Sequence, residues 1–291
     1  MTLKFLTNKP AAVLGDKLII CELHFGIELA MQRRGLNVPL EPRKYADELN
    51  KMAQEAKATQ LIVIGDFKHT INGFDQRERN YFNELIHALR FEKIIIVKGN
   101  HDSKIEEMAK PFAKLHFAAQ NDLQNASQNA PSILQIRVEP ATGLVIKQGN
   151  PATTYGLFHG HAAPSEEVMN CDYLLMGHNH AGVEIGEGKE FSKTQQAWVI
   201  IPLKNKANSS KHQHRHRHKQ QKLIAFPSFN PLSGSVPFNV LTAKELHGPI
   251  FHTGKIHNIH VDLDNGEVIL LNGQRIGKVK YLRRKKSPHN K

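Results

Sequence analysis

The 291-residue sequence predicts an α/β protein in which two mixed β-sheets pack face to face with helices outside. Three observations carry this expectation. The first 130 residues alternate strand-like apolar runs with amphipathic helical stretches, the pattern of parallel strands joined by right-handed crossovers. Beyond Pro131 short strand-like runs follow one another with few helical stretches between them. Finally, five of the apolar runs each end in a short polar segment containing Asp, Glu or His, as at the rim of a sheet.

Taken in order, Ala11–Leu14 and Lys17–Cys21 flank Gly15-Asp16 and read as a β-hairpin. A helix is expected from Pro42 to about Lys57: proline suits the first helical position, and Tyr45, Leu49, Met52, Ala53 and Ala56 share one face. A strand at Leu61–Ile64 precedes a second helix near Phe74 to Arg90, striped by Tyr81, Phe82, Leu85, Ile86 and Leu89. The strand Lys93–Val97 follows. In the second half, strands are expected at Ser132–Val138, Leu144–Lys147, Thr154–Phe158, Cys171–Met176, Trp198–Pro202 and Leu223–Phe226. Lys255–Leu263 and Glu267–Leu271 read as a last hairpin around Asn265-Gly266. One domain is expected over residues 1–272, with a polar insert at about 203–222 and a basic tail at 273–291. Asn121–Asn129 is a second polar, low-complexity stretch.

The net charge of +12 is unevenly placed. Lys204–Lys222 holds seven Lys or Arg and no acid, and Arg275–Lys291 holds eight and no acid; setting those fifteen aside turns +12 into −3. The body is therefore nearly neutral. Its appendages could track a phosphate backbone or simply be solvated, and the alternating His212–His218 run could bind metal adventitiously, track a phosphate backbone or be a solvated loop without function. Two cysteines, Cys21 and Cys171, cannot form a disulfide framework and read as core packing, which fits a reducing compartment. With no signal pattern and no apolar stretch of membrane-spanning length, a cytoplasmic protein without a membrane partner is expected.

The five strand-end segments are Glu22-Leu23-His24, Gly65-Asp66, Gly99-Asn100-His101-Asp102, His159-Gly160-His161 and Gly177-His178-Asn179-His180. Carboxylate, imidazole and amide donors gathered in this way suit a dinuclear metal site. The order of motifs resembles that of the calcineurin-like metallophosphoesterases, and more narrowly the ICC-like branch with its archaeal SbcD-related phosphoesterases and ligase-associated endonucleases. That branch reads D-L-H-x-G-x-E where this chain has Glu22 to Glu28, and G-D-x-K-H where it has Gly65 to His69; G-N-H-D, H-G-H and G-H-x-H are present too. The resemblance spans roughly residues 10–235.

What the resemblance implies is a four-layer metallophosphoesterase sandwich and a hydrolase using two divalent ions. Manganese is the first expectation, with iron, zinc or nickel as alternatives. Glu22, His24, Asp66 and His180 would hold one ion, and Asp66, Asn100, His159 and His178 the other, with Asp66 bridging through its two oxygens. His101 would donate a proton to the leaving group while Asp102 orients its ring. Lys68, His69 and His161 are weaker candidates for contacting the substrate. Phosphodiesters are the expected substrates, with DNA or RNA favoured and a role in DNA repair or processing; small phosphate esters or nucleotides, and a catalytically silent scaffold, are the alternatives. Glu22 departs from the family's Asp and carries one methylene more, so Glu22→Asp is expected to preserve or raise activity.

Overall fold

The computed structural model describes residues 2–72, 75–112, 135–186, 192–205, 220–252 and 259–284. Residues 73–74, at the expected start of the second helix, the 121–129 stretch, the His212–His218 run and the end of the tail lie outside the described residues.

The first sheet runs in chain order: β1 (Lys4–Phe5), β2 (Ala11–Leu14), β3 (Lys17–Cys21), β4 (Gln60–Ile64), β5 (Lys93–Val97) and β6 (Gln135–Glu139). β1, β2 and β3 pair antiparallel, and β3 through β6 pair parallel. The helices α1 (Ile27–Arg33), α2 (Pro42–Ala56), α3 (Gln76–Ala88) and α4 (105–112) accompany this half. α3 starts at Gln76, close to the expected Phe74, where Asp75 caps it: the Asp75 carboxylate accepts the Glu78 N–H at 2.8 Å, and the Glu78 carboxylate accepts the Asp75 N–H at 3.1 Å.

The second sheet comprises β7 (Leu144–Gln148), β8 (Thr153–Phe158), β9 (Tyr173–Met176), β10 (Ala181–Ile185), β11 (Lys193–Asn205), β12 (Lys222–Ala225), β13 (Val236–Pro237), β14 (Ile259–Val261), β15 (Glu267–Leu270) and β16 (Arg275–Lys278). Its main path is β13-β10-β11-β12-β9-β8-β7, with β14 and β15 both on the long β11 and β16 on β15. β8, β9 and β12 are parallel neighbours.

Strand alternation sorts the side chains into three cores. Leu18, Ile20, Leu61, Val63, Ile94 and Ile96 face the helices of the first half. Their in-between neighbours Ile19, Cys21, Ile62, Ile64 and Ile95 meet Tyr155, Leu157, Leu175, Trp198, Ile224 and Phe226 of the second sheet, so the sheets pack face to face as expected. The far side of the second sheet is covered by α5 (Glu166–Met169) and irregular segments carrying Leu246, Ile250 and Phe251, a thinner layer than the first. Both cysteines are free and buried. No described helix is long and apolar enough to cross a membrane.

Three features differ from the sequence reading. The described part of the expected last hairpin, residues 259–263 and 267–271, does not pair with itself: β14 and β15 each pair with β11, which at thirteen residues is long enough to bind both in succession, and β15 turns into β16 instead. The basic tail does not begin at 273, because Arg275–Lys278 is a strand and Val279 is fully buried, so the folded body runs on to at least residue 284. Likewise Leu203, expected in the insert, is a buried part of β11 opposite Val261. The periodicity of a four-residue strand is too short to separate from a charged loop when half its residues are basic.

Ile62 lies at the centre of the inter-sheet core, fully buried. Ile62→Ala is expected to lower the free energy of unfolding by about 2–5 kcal/mol, the range for large-to-small core substitutions. Equilibrium chemical denaturation measures it, and a loss below about 1 kcal/mol would contradict the face-to-face packing.

Candidate metal centre

Parallel pairing puts the C-terminal ends of β3, β4 and β5 on one edge, and those of β8 and β9 on the corresponding edge of the other sheet. All five polar segments leave from these ends. Hydrogen bonds stitch the two rims together: Phe229 N–H to Cys21 O at 2.8 Å, Asn230 N–H to Glu22 O at 3.1 Å, and Asn230 Nδ2 to Leu23 O at 3.0 Å. Asn230 Nδ2 also reaches the Tyr45 hydroxyl at 3.0 Å, which in turn donates to buried Glu28 in the first turn of α1. The rims meet so closely that Gly65 cannot be replaced: a Cβ there would lie 2.1 Å from His159 Cδ2. That glycine has a packing reason as well as a conformational one, its φ being 76°.

Among the non-glycine residues described, eight have φ in the left-handed region, and five of them are Glu22 (57°), His24 (43°), Asp66 (46°), His178 (62°) and His180 (41°). Each costs of order 1–3 kcal/mol, which the surrounding packing must offset, and such strain gathers where side chains have to be aimed.

The aim is inward. Glu22, fully buried, presents Oε2 at 3.0 Å from His24 Nε2 and 2.9 Å from His180 Nε2, and Oε1 at 2.8 Å from His159 Nε2. Oε1 also accepts the backbone N–H of His178. Asp66 turns Oδ2 toward both groups, 3.9 Å from His24 Nε2 and 3.5 Å from His159 Nε2, while Oδ1 accepts the His101 backbone N–H at 2.9 Å. Thus one oxygen of Asp66 faces both sides of the cluster, not two as the motif suggested; the other is spent on holding the His101 turn.

Electrostatics follow from this enclosure. Burial alone would raise the Glu22 carboxyl, but His159, His180 and His24 outweigh it and hold it well below the usual range. Asp66 has fewer partners, and burial together with the Glu22 charge pushes it up. Burial would lower His159, yet the adjacent Glu22 carboxylate carries it up to about 8. His178 lies beside His159, ring centroids 4.7 Å apart, and burial plus that neighbour push it down to about 3.

The remaining predicted residues divide. His101 packs edge-on to His24 at 5.1 Å, with Nε2 3.9 Å from Asp66 Oδ2, and its Nδ1 meets the His69 carbonyl. Asp102 does not orient that ring. Fully buried, it accepts N–H bonds from Gly99 at 2.9 Å and Lys68 at 3.1 Å, tying two strand-end loops together. Lys68 does not face the cluster as a substrate cation would: it is buried, and its ammonium binds the carbonyls of Thr70 and Ile71. His69 does join the cluster, Nδ1 to Nδ1 with His24 at 3.5 Å and stacked on His101; burial and those two rings lower it to about 4. His161 meets His159 Nδ1 to Nδ1 at 2.8 Å and is likewise lowered by burial to about 4. Asn100 is exposed at the turn beside His101. One residue was missed by the sequence reading. His247 packs on His178 at 6.0 Å, its backbone clamped by both amide atoms of Asn179 at 2.8 and 2.9 Å. The Asn179 side chain sits inside a recognised motif, but its partner, 68 residues on, belongs to none.

The donor set fits divalent ions. Donors about 2.1 Å from a common ion lie about 3.0 Å apart along an octahedral edge and about 3.4 Å along a tetrahedral one. Glu22, His24 and His180 are spaced 2.9, 3.0 and 3.5 Å, and Glu22, Asp66 and His159 form a second trio of the same kind. Two buried carboxylates near each other among imidazoles and backbone N–H groups are chemically suited to dications with mixed O and N ligands.

Residues 40–182 match the family model of the calcineurin-like phosphoesterases, a span that takes in every motif from Gly65-Asp66 to His180. Among solved structures the chain is similar to the nuclease MPE of Pseudomonas putida, at 14% identity over 80% of this chain and 83% of that one, with a TM-score of 0.41. No curated protein matches the chain.

A histidine with a pKa of about 8 is protonated at pH 7 and must become neutral to ligate. Metal uptake by the metal-free protein at pH 7 is therefore expected to release a proton from His159, with affinity rising as pH approaches 8 and levelling above it. Calorimetric titration in two buffers of different ionisation enthalpy reads the proton directly; identical heats in both would exclude His159 as a ligand.

Proposed function

We propose that this chain, a member of the calcineurin-like metallophosphoesterase superfamily, is a phosphodiesterase using two divalent ions, with nucleic acid as its favoured substrate. The observation that carries the reading is Asp66 Oδ2, which faces His24 on one side and His159 on the other from a buried position between the two sheets. Glu22, His24, Asp66 and His180 would hold one ion, and Asp66, His159 and His178 with the Asn100 amide the other. Divalent ions held there would supply charge neutralisation for phosphoryl oxygens and would acidify water at the site. Manganese suits this mixed oxygen and nitrogen set, as do iron, zinc and nickel.

The chain's own residues supply the rest. The His69 carbonyl fixes His101 Nδ1 as a protonated ring nitrogen, which leaves Nε2, facing the cluster, as the atom through which a proton would pass to the leaving oxygen. Asp102 is a positioning residue: by holding Gly99 and Lys68 it sets where the His101 turn stands against Asp66. His69 and His161 line the cluster at opposite ends, where phosphate oxygens would lie.

Nucleic acid as substrate rests on the motif branch and on the two basic segments. A second reading, hydrolysis of small phosphate esters or nucleotides, draws on a specific observation: Arg275, Arg283 and Arg284 of the tail are paired with Glu267, Asp264 and Glu184 within the protein. The test is an assay of the purified protein, loaded with each metal in turn, on a chromogenic phosphodiester, a phosphomonoester, and single- and double-stranded DNA and RNA. Diester cleavage with nucleic-acid affinity that falls steeply with salt supports the first reading; monoester or nucleotide hydrolysis with no nucleic-acid binding replaces it with the second.

Asp66→Asn is expected to remove both ions, read by elemental analysis after dialysis, and a stoichiometry unchanged by the substitution would exclude Asp66 as the bridge. His101→Ala is expected to lower turnover on an alkyl diester by about two to four orders of magnitude with metal content intact, and by less on substrates with good leaving groups. Normal activity of that variant on the alkyl diester would remove His101 from the chemistry.

A further inference from the structure

We infer that Glu22, resting on the two-ion reading above, is itself a bridge: Oε2 belongs to the ion of His24 and His180, and Oε1 to the ion of His159 and Asp66. Each oxygen already stands at ligand-to-ligand distance from a different donor group, Oε2 at 3.0 and 2.9 Å from the first two imidazoles and Oε1 at 2.8 Å from the third. Assigned to the first ion alone, Glu22 would leave Oε1 facing His159 with no metal role. Asp66 approaches both donor groups through Oδ2, while its Oδ1 turns to the His101 N–H at 2.9 Å. The second side therefore gains its second carboxylate oxygen from Glu22.

The surroundings are built for this longer side chain. Gly177 leaves room for it, because a Cβ at that position would lie 2.7 Å from Glu22 Oε1. The backbone of Glu22 is pinned on both sides of its φ of 57°, its N–H on Gly65 O at 3.2 Å and its carbonyl accepting from Asn230 N at 3.1 Å and Ser228 Oγ at 3.1 Å. A shorter side chain cannot be compensated by moving a main chain held in this way. Removing one methylene withdraws the carboxylate by about 1.5 Å, against a tolerance of about 0.2 Å for a metal–ligand bond. Glu22→Asp is thus a loss for both ions, contrary to what the resemblance alone implies, and the two ions load as a coupled pair.

The test is titration of the metal-free, full-length protein with Mn²⁺ by calorimetry and elemental analysis, for the wild type and for Glu22→Asp and Glu22→Gln, with circular dichroism to confirm folding. Two ions are expected in the wild type, and at least a tenfold weaker affinity for both in Glu22→Asp. In Glu22→Gln, whose amide keeps the length but offers one oxygen, one ion should be retained at near wild-type affinity and the other lost. Should neither variant fold, the crystal structure of the Mn²⁺-loaded wild type decides: each Glu22 oxygen must contact a separate ion. Loss of a single ion in Glu22→Asp with the other bound as in the wild type, or both Glu22 oxygens on one ion, would make Glu22 a terminal ligand and overturn the bridge while leaving the two-ion reading standing. A wild type that binds fewer than two ions would overturn both.

Discussion

A carboxylate taken wholly out of water has to be matched by charge or by hydrogen bonds, and the way Glu22 is matched organises this protein. Its partners are three imidazoles and one backbone N–H, drawn from the ends of β3, β8 and β9. No single sheet could supply them. The two sheets must therefore meet at their C-terminal edges, and the face-to-face core of Ile19, Ile62, Leu157, Leu175 and Trp198 is what holds them in that position. Packing in the middle of the sandwich and chemistry at its rim are in this sense one constraint.

The cost of the arrangement is visible in the backbone. Five rim residues adopt left-handed φ values that their side chains disfavour, and each lies within four residues of the buried C-terminal end of a strand. The strand ends stop being regular where the donors must turn inward. What keeps these conformers in place is a frame of buried polar groups without a metal role: Asp102 across two loops, the Lys68 ammonium on loop carbonyls, and the chain of contacts from Glu28 through Tyr45 to Asn230. Residues that look like chemistry in the motif, Asp102 and Lys68 among them, are instead what aims it.

Around this frame the imidazoles form a graded set. His159, against the Glu22 carboxylate, is pushed up to about 8, whereas His69, His161 and His178, with imidazole neighbours and burial, lie at about 3 to 4. Rings that remain neutral at physiological pH are ready to accept a cation or a hydrogen bond without first losing a proton. The cluster is therefore primed at its edges and carries its proton at its centre.

Much of this was legible from the chain. Apolar runs of strand length ending in Asp, Glu or His at five places, with helical periodicity between the first three, determine the parallel core, the rim and the residue types found there, because periodicity and strand length are local properties. Asp75 fixing the start of α3, and Arg275–Lys278 folding as a strand out of an apparently basic tail, show where local pattern gives way to a cap or to a neighbouring edge. The roles of individual donors were decided only in three dimensions. That Asp66 offers one oxygen and Glu22 two, that Asp102 serves the backbone, and that His247 arrives beside His178 all depend on distances between segments far apart in the chain. Spacing along a sequence can place a donor at a strand end, but which atom it turns toward depends on what the facing sheet presents there.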